Sequence, residues 1–205
     1  MAHSDASIAT LALRLLGDGR NTVADLQTDT TVQAKACRAV YETARDEVLR
    51  DHPWQFAMKR AELAQVEADP NEEWAYSYRY PSDCLFIRRI PSGIRATKET
   101  LAQKIEYEIG RDDTGLLIFT DVENAEVEYT MKEEDAGRYH PDFVMALAFR
   151  IAAYVAPQLA PGDSLQITER MVRFYMASIG KAKGNSENER RPGGQPESEI
   201  ISSRT

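Results

Sequence analysis

Three histidines, two cysteines and a surplus of carboxylates are the groups in this 205-residue chain that could do chemistry. A nucleophile needs a base beside it, most often an imidazole. His3 stands at the N-terminus, and His52 and His140 each precede a proline, one at a helix end and one at a helix start. Those settings suit capping or packing. Cys37 and Cys84 are far apart, with no CxxC pair and no metal-ligand spacing. Both read as small buried hydrophobes, Cys84 because it opens an apolar strand after Pro81-Ser82-Asp83. The acidic groups Asp112-Asp113, Asp121 with Glu123, and Glu133-Glu134-Asp135 have the donors for magnesium or for proton transfer, yet short acidic runs beside turns are usually just solvated. Gly180-Lys181-Ala182-Lys183-Gly184 lacks the leading glycine spacing of a phosphate loop and the Ser or Thr after its lysine. It reads as a helix end carrying favourable positive charge. The chain is therefore expected to have no catalytic residue, no cofactor and no metal site, and not to be an enzyme.

Composition points the same way. With 33 acidic against 25 basic residues the formal charge is −8, which argues against a surface whose main task is gripping phosphates. A hydrophobic content of 42%, with two tryptophans, is enough for a real core. The longest apolar stretch, Phe143 to Val155, is interrupted by Arg150 and falls short of the roughly 20 residues a membrane span requires. A soluble protein with no membrane partner is expected.

The elements that must position these groups follow from periodicity. Ser4 or Asp5 can cap a first helix through Ile8, Leu11, Leu15 and Leu16, with Gly17 at a left-handed C-terminal position. A second runs from about Thr31 to Arg50, with Val32, Cys37, Val40, Tyr41, Ala44, Val48 and Leu49 on one face. These two are expected to pack as a hairpin. Strand patterns follow: Ala61 to Val66, Trp74 to Tyr80, Cys84 to Ile90, Lys104 to Ile109, Leu116 to Thr120 and Ala125 to Met131, with Gly110 to Gly115 as a hairpin turn. They predict one small antiparallel sheet inserted between helical pieces. Helices resume at Pro141, ending at Pro157, and at Asp163 or Ser164, stopping near Gly180. The fold class expected is α+β, mainly α: an antiparallel helical bundle with an inserted small antiparallel β region and an extended C-terminal tail. Its parts are an N-terminal helical hairpin at 1–60, the β-rich insertion at 61–135, helices completing the bundle at 136–183, and the polar tail at 184–205, which alone should not fold.

Between Asp51 and Cys84 the chain concentrates Pro53, Trp54, Phe56, Trp74, Tyr76, Tyr78, Tyr80 and Pro81. Pro53 must end the second helix, so the chain turns a corner there into large rings. Trp54, Phe56, Trp74, Tyr80 and Pro81 are read as structural anchors.

Three blocks in order, Ala9-Thr10-Leu11-Ala12-Leu13-Arg14-Leu15-Leu16-Gly17, then Arg45 through His52-Pro53-Trp54-Gln55-Phe56-Ala57, then Trp74-Ala75-Tyr76-Ser77-Tyr78-Arg79-Tyr80-Pro81-Ser82-Asp83-Cys84-Leu85, resemble the head-to-tail adaptors of tailed bacteriophages, the group that includes the podovirus tail tubular protein A. The resemblance implies a structural virion protein, made in the host cytoplasm and placed at the head-to-tail interface. It implies a homo-oligomeric ring, a dodecamer, between the portal protein and the tail nozzle protein, with DNA only in transit through the lumen. The tail residues Arg190, Arg191, Ile200 and Ile201 are then the expected portal contact, by strand addition. Arg111, Asp112 and Asp113 of the hairpin are the expected nozzle-facing or intersubunit surface. Arg88-Arg89, Arg190-Arg191 and Lys181 with Lys183 are expected to bridge neighbouring subunits rather than to hold DNA. A non-viral soluble binding or regulatory module without portal affinity is the alternative, and an acid-catalysed hydrolase a distant third.

Overall fold

Ser4 starts the first helix by a reciprocal pair of bonds: its hydroxyl accepts from the Ser7 amide at 3.2 Å, and the Ser7 hydroxyl accepts from the Ser4 amide at 3.0 Å. The helix, α1, spans Asp5–Leu15. Gly17, at φ +92°, closes it, donating to the Arg14 carbonyl while the Asp18 amide reaches the Leu13 carbonyl. Thr31 caps α2, Val32–Asp51, which stops at His52 before Pro53. The computed structural model describes residues 3–19, 21–68, 70, 73–91, 105–160 and 162–189.

The remaining helices are α3, Pro141–Leu159, and α4, Ser164–Glu189. Both outrun their expected ends. Pro157 lies inside the last turn of α3 because Val155 and Ala156 stay buried and the Ala160 amide still bonds back to the Ala156 carbonyl. Gly180 and Gly184 each cost a helix about 1 kcal/mol against alanine, but buried Ile179 and Ala182 hold those turns on the core. The tail expected from residue 184 is thus helical as far as Glu189. Packing differs too. α1, α2 and α4 all lie mainly against α3, and α1 touches α2 only slightly, so the first two helices are not a hairpin. Ala146, Ala148, Ala152 and Ala153 make α3 slender enough to be approached from several sides.

Among the described residues seven strands follow the corner: β1 Met58–Glu62, β2 Gln65–Ala68, β3 Tyr76–Arg79, β4 Cys84–Arg89, β5 Glu108–Asp112, β6 Gly115–Thr120 and β7 Glu126–Met131. They form two antiparallel sheets, β1-β7-β4 and β2-β3-β6-β5, where one was expected. The alternation read as a single strand from Ala61 to Val66 changes sheets midway. Leu63 donates to the Ala125 carbonyl beside the first sheet, and the next residue, Ala64, accepts from the Arg79 amide beside the second. Alternation is blind to such a switch, because both sheets share one core. Leu63, Tyr78, Ile87, Ile118, Val127 and Tyr129 fill it, separate from the larger core around α3. β5 begins at Glu108, later than the pattern from Lys104 suggests; Lys104 itself lies outside the described residues.

Candidate functional site

Of the five aromatic and proline anchors, Trp54 and Phe56 belong to the larger core and Tyr80 packs against the smaller one. Trp54 is 4% exposed, donates its indole N–H to the Val48 carbonyl at 2.7 Å, and meets His52 and Phe143 edge-on at 4.7 and 5.1 Å. Phe56 packs on Phe143, Tyr139 and His140. This corner pins the end of α2 to the start of α3. Trp74 instead donates to Glu108 across the second sheet, Tyr80 accepts from the Cys84 thiol at 3.2 Å, and the Pro81 carbonyl accepts from the Cys84 amide.

The groups with chemical potential are engaged in local structure. Burial pushes the Cys37 thiol up to about 11 and raises that of Cys84, the opposite of nucleophile activation. Glu133 pairs with Arg138, and Asp135 caps the turn that follows by accepting from the Gly137 amide. Asp121 accepts from the Ala75 amide. Asp112 takes a bidentate pair from Arg79, at 2.9 and 3.0 Å, and accepts from the Thr114 and Gly115 amides. Arg79 and then Thr114 hold its carboxyl well below the usual carboxylate range. Among the described residues no group of three or more His, Cys, Asp or Glu is placed to hold a metal ion.

The basic groupings fare differently from one another. Arg88 donates to Thr130 Oγ1 at 2.7 Å and to the His52 carbonyl at 3.2 Å, so it ties β4 to the C-terminal end of α2; burial lowers its pKa. Arg89 pairs with Glu128 on the adjacent strand at 2.8 Å. Both are thus engaged within the chain, where bridging between subunits was expected. Lys181 and Lys183 lie exposed on α4. Of the hairpin residues, Arg111 and Asp113 face solvent while Asp112 is held by the turn. The turn is tighter than the glycines suggested, with Asp112 paired directly to Gly115. Arg190, Arg191, Ile200 and Ile201 lie outside the described residues.

Two surfaces carry what sequence patterning missed. On α4 the core-facing line is Met171, Tyr175, Ile179 and Ala182, which leaves Phe174 46% exposed on one flank and Leu165 and Met176 exposed on the other. Phe174 and Tyr175 stand three and four residues after Met171, the spacing of a single apolar face, so the pattern carries no signal that one of them is exposed. A groove of about 680 Å³ runs there, lined by Ile167, Arg170, Arg173 and Phe174 among others. A second groove, about 630 Å³, follows β5, lined by Trp74, Ile105, Glu106, Tyr107, Glu108 and Ile109. Ile109 and Leu116 are nearly half exposed at that margin. Large apolar side chains ringed by charge are the make-up of a protein-binding surface rather than of a small-molecule site. No protein-family model matches the chain, and no curated protein matches it.

Proposed function

We propose that this chain is a structural protein of a tailed-phage virion, an adaptor whose ring joins the portal to the tail nozzle and continues the DNA channel. The observation that carries the reading is the ordered set of three sequence blocks, of which the middle one, His52-Pro53-Trp54-Gln55-Phe56-Ala57, forms the joint between α2 and α3. In this reading the four helices act as the antiparallel bundle, residues 61–135 as its insertion, and the residues after Glu189 as the extended tail. Twelve copies close the ring. The tail, through Arg190, Arg191, Ile200 and Ile201, reaches the portal protein by adding a strand. Arg111 and Asp113, at the free end of the β5–β6 hairpin, belong to the nozzle-facing or intersubunit surface. The acid surplus suits a lumen that passes DNA without holding it.

The test is assembly. The purified chain is weighed by light scattering, then mixed with the portal protein of the phage that carries it. A stoichiometric ring-on-ring complex supports the adaptor role even where the free chain is monomeric. No complex, with chain intact and portal assembled, returns the non-viral regulatory module to the front.

A further inference from the structure

We infer that in the free chain the tail turns back and lays residues 197–201 along the seam of α3 and α4, where Ile200 and Ile201 are held in store until a portal competes for them. The effect on assembly rests on the adaptor reading above; the contact itself does not.

The seam is apolar where the chain leaves it open. α3 and α4 run antiparallel: Phe149 meets Phe174 at 5.5 Å near the middle of α4, and Asn185 donates to Asp142 at 2.8 Å toward its C-terminal end. Between those two levels Met145, one turn before Phe149 on α3, is 38% exposed. Arg170, Phe174 and Lys181 are spaced by four and then seven residues, which places them in one row down this side of α4. The charge along the row has one sign. Asp163 and Glu169 precede it, the next carboxylate on α4 is Glu187, and the one acid of α3, Asp142, is taken by Asn185. Arg170 and Lys181 face solvent and, among the described residues, form no ion pair.

A segment that fits such a strip is acidic first and aliphatic after, and the chain supplies one in Glu197-Ser198-Glu199-Ile200-Ile201. Its distance is right. Pro192-Gly193-Gly194, just past the end of α4 at Glu189, has the composition of a reverse turn. From Gln195 an extended chain covers about 13 Å to Glu199 and about 20 Å to Ile201. Measured back along α4 from Glu189, Lys181 stands at about 12 Å and Phe174 at about 22 Å. Glu199 is thus brought to Lys181, and Ile200 and Ile201 to Met145 and Phe174. Duplex DNA would use the two cations and leave Met145 and Phe174 bare. The tether keeps the segment at an effective concentration in the millimolar range, so one exposed ion pair and two isoleucines, weak by themselves, hold it for most of the time. It leaves the seam well below the temperature at which the cores melt, a local opening to which the unfolding midpoint is blind.

Amide NMR spectra of the full chain test the contact. Ile200→Ser with Ile201→Ser should shift the signals of Met145, Phe149, Phe174 and Lys181 and leave those of the smaller core in place. Lys181→Glu and Glu199→Lys should each release the tail, and the two together should restore the wild-type shifts. An unchanged seam in the isoleucine variant, or no restoration by the charge swap, overturns the contact. Seam shifts in the labelled isoleucine variant on adding unlabelled wild type also overturn it, since the strip then belongs to another copy's tail. Portal titration reads the consequence. With about four copies in five docked, the apparent portal affinity is lowered about fivefold. Phe174→Ser with Lys181→Glu, both at exposed positions, should therefore bind portal about fivefold more tightly than wild type. Equal or weaker binding overturns the storage role. Absence of portal binding by both proteins, with the seam signals responding as expected, overturns the adaptor reading and the storage role with it, while the contact stands.

Discussion

Trp54 shows how much one side chain decides here. Its ring fills the junction of α2 with α3, and its N–H satisfies the Val48 carbonyl, which the end of α2 would otherwise leave without a donor. Trp54→Ala should cost about 3–5 kcal/mol in urea unfolding, whereas Trp54→Phe should recover most of that loss. Asp112 is the second such residue. Its carboxyl is held below the ordinary aspartate value by Arg79 and by the turn, so its stabilisation is complete above pH ~4, the unfolded value, and is lost as pH falls toward the folded one. Wild type should therefore weaken progressively in acid, and Asp112→Asn should flatten that part of the stability profile measured between about pH 5 and 2.

At the scale of elements, the β5–β6 hairpin depends on a glycine that carries no turn. Gly110 lies within β5, and a Cβ there would stand 2.4 Å from the Phe119 ring, which rests diagonally over it from β6. Gly110→Ala should cost about 1–3 kcal/mol by forcing that ring aside. In a Phe119→Leu background the same change should be nearly neutral, and a double-mutant cycle by thermal unfolding reads the difference. The glycines of residues 110 and 115 thus serve different ends: close packing at the first, and a φ of +150° at the second, where the chain leaves the turn. Sequence spacing drew both into one loop, because it reports that glycine is needed and not why.

The whole molecule is two cores joined at one corner, with Arg88 of β4 bonded to the carbonyl of His52 across the joint. Among the described residues every helix through α4 contributes buried side chains to the larger core, the last of them Ala182. Removing residues 191–205 should accordingly leave circular dichroism and unfolding midpoint unchanged while weakening portal attachment in a pull-down. Normal portal binding by that truncated chain would place the contact elsewhere.

The sequence by itself determined the helix starts and stops that depend on local chemistry: a cap at Ser4 or Asp5, a start near Thr31, the Gly17 terminus, the stop before Pro53 and the start at Pro141. It also located most strands and the apolar faces, since periodicities of 3.6 and 2 are properties of neighbouring residues. Tertiary structure alone decided which elements pair. It split the strands between two sheets, laid α1 on α3 instead of α2, carried α4 through two glycines, and left Phe174 outside with Tyr175 inside. Each of those outcomes turns on burial against residues distant in the chain, and that energy is absent from any local window. The candidate surfaces were hidden for the same reason: an exposed apolar residue is indistinguishable from a core residue until the partner that fails to cover it is in place.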